Sequence, residues 1–138
     1  MRIVFSHNQE DQDRLWINNL SSLDIIVDNG EASEIVVDDI LCSFNIKEVP
    51  DVIRLIASKI KKGGKIILYF TDIELLSHML STGAITLTDF NEAIYPAGSS
   101  VKCAVSTDII IDELRLAGFK ISQKQIKNFT SIVVGILE

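Results

Sequence analysis

Between Ile35 and Gly118 the chain alternates short continuous apolar runs with stretches whose apolar residues recur at helical spacing, and that alternation leaves few architectures open. Ile35–Val37 and Lys65–Phe70 have strand length and strand composition. Between them Val49, Ile53, Ile56 and Ile60 recur at four, three and four residues, one face of a helix. Pro50 is compatible only with a first turn, so this helix begins near Lys47–Val49. Lys61-Lys62-Gly63-Gly64 reads as its end. Thr71 and Glu74 have capping-box spacing for a helix carrying Ile73, Leu76 and Leu80, which Gly83 stops. A short helix over Thr88–Ile94 and a turn at Tyr95-Pro96-Ala97-Gly98 follow. Ser106 or Thr107 then caps a helix with Ile110, Leu114 and Ala117 inward and Gly118 just past its end. Strands separated by helices pair in parallel and are covered on both faces.

The flanks complete the sheet. Ile3–Phe5 is the first strand, and the polar stretch Glu10–Leu20, with Leu15 and Trp16 inside it, is a short helix or an irregular lid. Leu23–Val27 reads as a second strand, ended by the turn Asp28-Asn29-Gly30. At the far end Phe119–Ile126 and Ser131–Leu137 pair around Lys127–Thr130 and supply an antiparallel strand at or near the sheet edge. The expected fold is a single α/β domain over residues 1–138, a three-layer sandwich with six or seven strands, mostly parallel, and a C-terminal antiparallel hairpin.

Composition narrows the functional classes. With 47% hydrophobic and 23% charged residues, the chain can bury a core without staples. A net charge of -6 argues against nucleic acid as a partner. Lys59, Lys61, Lys62 and Lys65 then read as a solvated helix end. Runs such as Ile109–Ile111 fall well short of the roughly 18 residues of a membrane helix, and the amino terminus lacks a basic-then-apolar leader. Cys42 and Cys103 stand in unrelated contexts, which points to reduced thiols and a cytoplasmic chain rather than to a disulfide or a metal pair.

The turn after the first strand, Ser6-His7-Asn8-Gln9, has no glycine. Nucleotide-binding α/β domains keep glycines there so that the backbone approaches the ligand closely, in dihedrals that a Cβ penalises. Asp38 and Asp39 end a strand at the edge where open α/β sheets place ligands. The alternatives are helix capping and solvation, a ligand contact, or acid/base chemistry, for which the sequence offers no third group and adjacency gives no facing geometry. His7 occupies a similar strand end, whereas His78 lies on a helix without a ligand partner, and no residue set has metal spacing. Asp72 follows the best strand and stabilises the start of the next helix. Trp16 reads as core packing or as a cover over a cleft.

Two elements carry a resemblance. Ile60-Lys61-Lys62-Gly63-Gly64-Lys65-Ile66-Ile67-Leu68 and Leu116-Ala117-Gly118-Phe119, with Phe90–Tyr95 and Gly98 between them, resemble class I S-adenosylmethionine-dependent methyltransferases. The chain is most similar to their small phage and bacterial type-11-like members. The resemblance implies a Rossmann-like methyltransferase fold. It lays the glycine-rich cofactor turn on Ser6, His7 and Asn8, the ribose-holding acidic residue on Asn19, and the loop toward the substrate on Ala32–Leu41, with Asp38 and Asp39. A turn without glycine and an uncharged Asn19 imply a degenerate cofactor site, so the expected role is a non-catalytic binding or structural module without cofactor. The alternative is an active methyltransferase using S-adenosylmethionine on a small molecule, sugar or protein. A homo-oligomer or another protein partner is expected, in the host cytoplasm if the chain is viral, with neither nucleic acid nor membrane.

Overall fold

A computed structural model describes residues 1–6 and 15–138. The candidate turn residues His7 and Asn8 and the side chain of Trp16 lie outside what is described. Among the described residues six strands form one sheet. β1 (Arg2–Ser6) runs parallel between β2 (Leu15–Ile17) and β3 (Ala32–Asp38), and β4 (Ile60–Thr71) continues the parallel set beside β3. The chain then makes β5 (Phe119–Lys127) and β6 (Thr130–Leu137), and β6 inserts antiparallel between β4 and β5. The hairpin thus lies at the sheet edge, but its second strand, containing Ser131–Leu137, is interior. The edge on this side is β5, where exposed Lys120, Lys124 and Lys127 discourage pairing with another strand.

The helices connect these strands as α1 (Leu20–Ile26), α2 (Val49–Lys59), α3 (Ile73–Ser81), α4 (Leu87–Ile94) and α5 (Thr107–Leu116). The main core lies on one face of the sheet. Ile3 and Phe5, Ile35 and Val37, and Ile66, Leu68 and Phe70 alternate toward it. Leu23 of α1, Val52, Ile53 and Ile56 of α2, and Ile110 and Leu114 of α5 cover them. Each of these helices presents one apolar stripe, and α2 places Pro50 in its first turn as its sequence requires.

Several local expectations change. Leu23–Val27 is not a strand but most of α1 with its C-cap, because Leu20, Leu23 and Val27 share a helical face while Ile25 and Ile26 are exposed. The polar stretch before it contains β2. The helix α3 is capped by Asp72 rather than Thr71: its carboxylate accepts from the N–H groups of Glu74 and Leu75 at 2.8 and 3.2 Å. Lys59 is not part of a solvated helix end. It is 4% exposed, its ammonium 3.0 Å from the Asp24 carboxylate, and it also donates to the Asp24 carbonyl, tying α2 to α1.

Lys61-Lys62-Gly63-Gly64 belongs to β4, not to a separate turn. Ile60 pairs with Ala32 and Lys65 with Glu34, so four residues of β4 bulge out opposite Ser33. At the same end of the sheet Glu34, 5% exposed, accepts from Arg2 at 3.2 Å and faces Lys65 at 3.4 Å, an ionic crossing of β1, β3 and β4.

Candidate functional site

Strand order reverses between β1 and β3: β2 lies on one side of β1 and every later strand on the other. Loops leaving the two strands diverge at such a reversal, and ligands bind in the crevice beyond the carboxyl ends. Ser6 and Asp38 end their strands there in register. Ser6 is buried and Asp38 half-buried. Asp39 follows with φ of 52°, a left-handed conformation that aspartate tolerates better than most residues. Its N–H donates to the Tyr69 carbonyl at 2.8 Å, carrying the β3–β4 ladder one residue further.

Beside this point opens a cleft of about 340 Å³, within the range of small-molecule sites. Phe70 and Thr71, the last residues of β4, meet Asp39, Cys42 and Ser43 from the segment after β3. Ile94 at the end of α4 and the connector from Pro96 to Val105 complete it. The connector is pinned at two places. The Cys42 carbonyl accepts from the N–H groups of Lys102 and Cys103 at 2.7 and 3.1 Å, and the Val105 carbonyl accepts from Ile73 at 3.0 Å. Beneath it, Asp72 accepts from the Thr107 N–H at 3.1 Å and from the Thr107 hydroxyl, which also meets the Ser131 hydroxyl at 2.8 Å.

The electrostatics set Asp38 and Asp39 apart. Burial raises the Asp38 carboxyl above its usual range. Burial raises Asp39 as well, and the Asp38 charge adds to the effect. The Asp39 side chain still reaches solvent at the cleft. Desolvated neighbouring carboxylates of this kind favour a cation or a proton beside them.

Of the candidate residues, Ser6, Asp38 and Asp39 come together at adjacent strand ends. Asn19 stands just past the end of β2, but its amide is engaged locally. Its oxygen caps α1 by accepting from the Ser22 N–H at 2.8 Å, and its NH₂ group donates to Asn18. His78 is exposed on α3. The convergence of Cys42 and Cys103 on one cleft was not expected. Neither the spacing of these residues nor the turn around Pro96 signals the cleft, which arises from segments far apart in sequence. No cluster of metal-ligating side chains occurs among the described residues, and no helix among them is long and apolar enough to cross a membrane.

No protein-family profile matches the chain, and no curated protein does. Solved structures do. An O-methyltransferase family protein from Burkholderia thailandensis superposes with a TM-score of 0.65 at 16% identity, over 91% of this chain and 36% of that one. Magnesium protoporphyrin IX methyltransferase from Synechocystis PCC 6803 with bound SAH gives 0.60 at 18% identity, over 91% of this chain and 52% of that one. The PH0226 protein from Pyrococcus horikoshii OT3 gives 0.63 at 16% identity, over 91% and 60%. The chain thus has the Rossmann-like three-layer α/β sandwich with a mixed sheet found in class I S-adenosylmethionine-dependent methyltransferases, and it spans only part of the length of these matches.

Proposed function

We propose that this chain is a methyltransferase domain that holds S-adenosylmethionine across the carboxyl ends of β1, β2 and β3 and takes the methyl acceptor in the adjoining cleft. The observation that carries this reading is the placement of the adjacent carboxylates Asp38 and Asp39 at the strand-order reversal, Asp38 level with Ser6 and Asp39 in the wall of the cleft. When bound, the cofactor supplies an electrophilic methyl group on a positively charged sulfur. That charge fits two adjacent, partly desolvated carboxylates, Asp38 half-buried and Asp39 open to solvent. Ser6 and the two aspartates would hold the cofactor; the amide of Asn19 is engaged in capping α1. Asp39 lies where its carboxylate receives the proton that an acceptor must lose, and its raised pKa suits a base working closer to neutral pH. Phe70, Ile94 and Val105, all buried, give the cleft an apolar floor. The type-11-like affinity rests on the Lys61–Gly64 and Ala117-Gly118-Phe119 elements and belongs to this proposal too.

Asn19 favours a second reading, a binding or structural module that has lost the cofactor. The resemblance lays the ribose-holding carboxylate on this residue, which brings no charge. Isothermal titration with S-adenosylmethionine and S-adenosylhomocysteine separates the two. The first reading expects micromolar binding of S-adenosylmethionine that weakens when Asp38 or Asp39 is changed to Asn. It also expects the affinity to fall as pH drops through the raised carboxyl pKa values, since only the ionised carboxylates attract the sulfonium. No heat of binding with a folded chain sinks the methyltransferase reading and leaves the module.

A further inference from the structure

Cys42 and Cys103 are remote in sequence, yet the fold sets them side by side in the wall of one cleft. Cys42 sits in the short 3₁₀ turn Leu41–Ser43 after β3, and Cys103 in the connector that precedes α5. Their backbones share a hydrogen bond, Cys103 N–H to the Cys42 carbonyl at 3.1 Å. One such bond holds two Cα atoms within the separations, about 4.4–6.8 Å, that disulfides span. The sulfurs lie against the same short stretch of backbone. Cys42 Sγ donates to the Asp39 carbonyl at 3.7 Å, and Cys103 Sγ to the Leu41 carbonyl at 3.6 Å. Both residues are half-buried, and the cleft that they line admits a small oxidant. A metal does not account for the pair, since no cluster of three ligating side chains exists among the described residues.

We propose that Cys42 and Cys103 are a thiol-oxidation site that closes reversibly to an intramolecular disulfide in the cleft wall. The reaction needs a two-electron oxidant of the peroxide class. One thiolate attacks a peroxide oxygen, the O–O bond breaks, and the sulfur becomes a sulfenic acid as one water is released. The second sulfur displaces the sulfenic hydroxyl as another water, and the S–S bond forms. The two cysteines lose two electrons and two protons, and hydrogen peroxide is reduced to water. Burial pushes the Cys42 thiol up to about 11, with smaller contributions from the Asp39 carboxylate and the Cys103 thiol, and burial raises Cys103 as well. Thiolate is scarce at neutral pH, so closure is slow there and accelerates as the pH rises. The product links the 3₁₀ turn to the connector covalently and fixes the wall of the cleft.

The test treats the full chain with hydrogen peroxide at neutral and at alkaline pH, blocks remaining thiols with N-ethylmaleimide, and maps proteolytic peptides by mass. The expected result is a cross-linked peptide containing Cys42 and Cys103, two hydrogens lighter than the reduced pair. It should accumulate faster at alkaline pH and disappear with dithiothreitol. In Cys42→Ser and Cys103→Ser the remaining thiol should instead progress to sulfinic acid. Separate sulfinic acids on both cysteines of the unmodified chain, or disulfides only between chains, would overturn the proposal. The readout does not involve S-adenosylmethionine, so it stands or falls independently of the methyltransferase reading.

Discussion

Gly64 shows how one missing side chain fixes the path from α2 into the sheet. A Cβ there would meet Ile60 Cγ2 at 2.7 Å, the Lys61 carbonyl oxygen at 2.8 Å and the Ser33 carbonyl oxygen at 2.9 Å. Two of the three contacts are backbone, so no change of rotamer relieves them. Gly63, one residue earlier, has φ of +82° and open space around it, so its requirement is conformational instead. Gly64→Val should therefore cost about 3 kcal/mol and Gly63→Ala about 1 kcal/mol, compared by denaturant midpoints. Equal losses would show that the bulge yields where Gly64 touches it. The sequence reads this pair as a turn ending α2, whereas it forms the bulge of β4, and the division of labour is not legible because contact with Ser33 depends on the pairing of β3 and β4. Asp38 and Asp39 are similar: their adjacency is legible, whereas the left-handed turn at Asp39 follows from the strand ending between them.

Asp72 works for several elements at once. It caps α3, accepts from the first residue of α5, and through Thr107 reaches Ser131 of β6. Burial alone would raise its pKa, but the hydrogen bonds from Thr107, Leu75 and Glu74 outweigh burial and hold it below 3.8. A lowered folded-state pKa stabilises the fold fully above 3.8, and this contribution declines as pH falls through the folded value. Asp72→Ala should cost about 3 kcal/mol, because a cap is lost and buried donors are left without an acceptor. The gap between this variant and the unmodified chain should narrow in acid, a comparison that pH-dependent urea melts make directly. Long periodic elements such as α2 and α5 are legible in the sequence, and so is the apolar alternation of β4. The short α1 is not, since Leu23–Val27 is an unbroken apolar run but for Asp24 and reads as a strand. The Asn19 cap and the burial of Leu23 and Val27 decide for a helix.

Across the whole molecule the mixed sheet was legible, since the helix–strand alternation and the final hairpin both announce it. The cleft was not, because its walls come from the segment after β3, the end of β4 and the connector after α4, which share no spacing. The position of β6 could not be read either: pairing with both β4 and β5 is a property of the assembled sheet. That position makes β6 indispensable. Its Val133 is fully buried in the main core, and Ser131, also fully buried, joins the Asp72 network. A chain ending at Lys127 should therefore lose its cooperative thermal transition and aggregate, because β4 would present a bare edge and β5 would have no neighbour. Calorimetry and light scattering would check this, and a cooperative transition in the shortened chain would contradict it.

Because β6 follows β5 in the chain but precedes it in the sheet, synthesis and assembly run in different orders. A ribosome releases α5 and β5 while the place beside β4 is still vacant. β5 therefore has no strand to pair with until residues 130–137 have left the exit tunnel. Through that interval the nascent chain carries an open sheet edge at β4 and an unpaired β5, the kind of surface that chaperones bind and that neighbouring nascent chains join. Docking of β6 closes both edges in one event. The step that completes the sheet thus leaves, on this side, the lysine-bearing outer side of β5 as its edge.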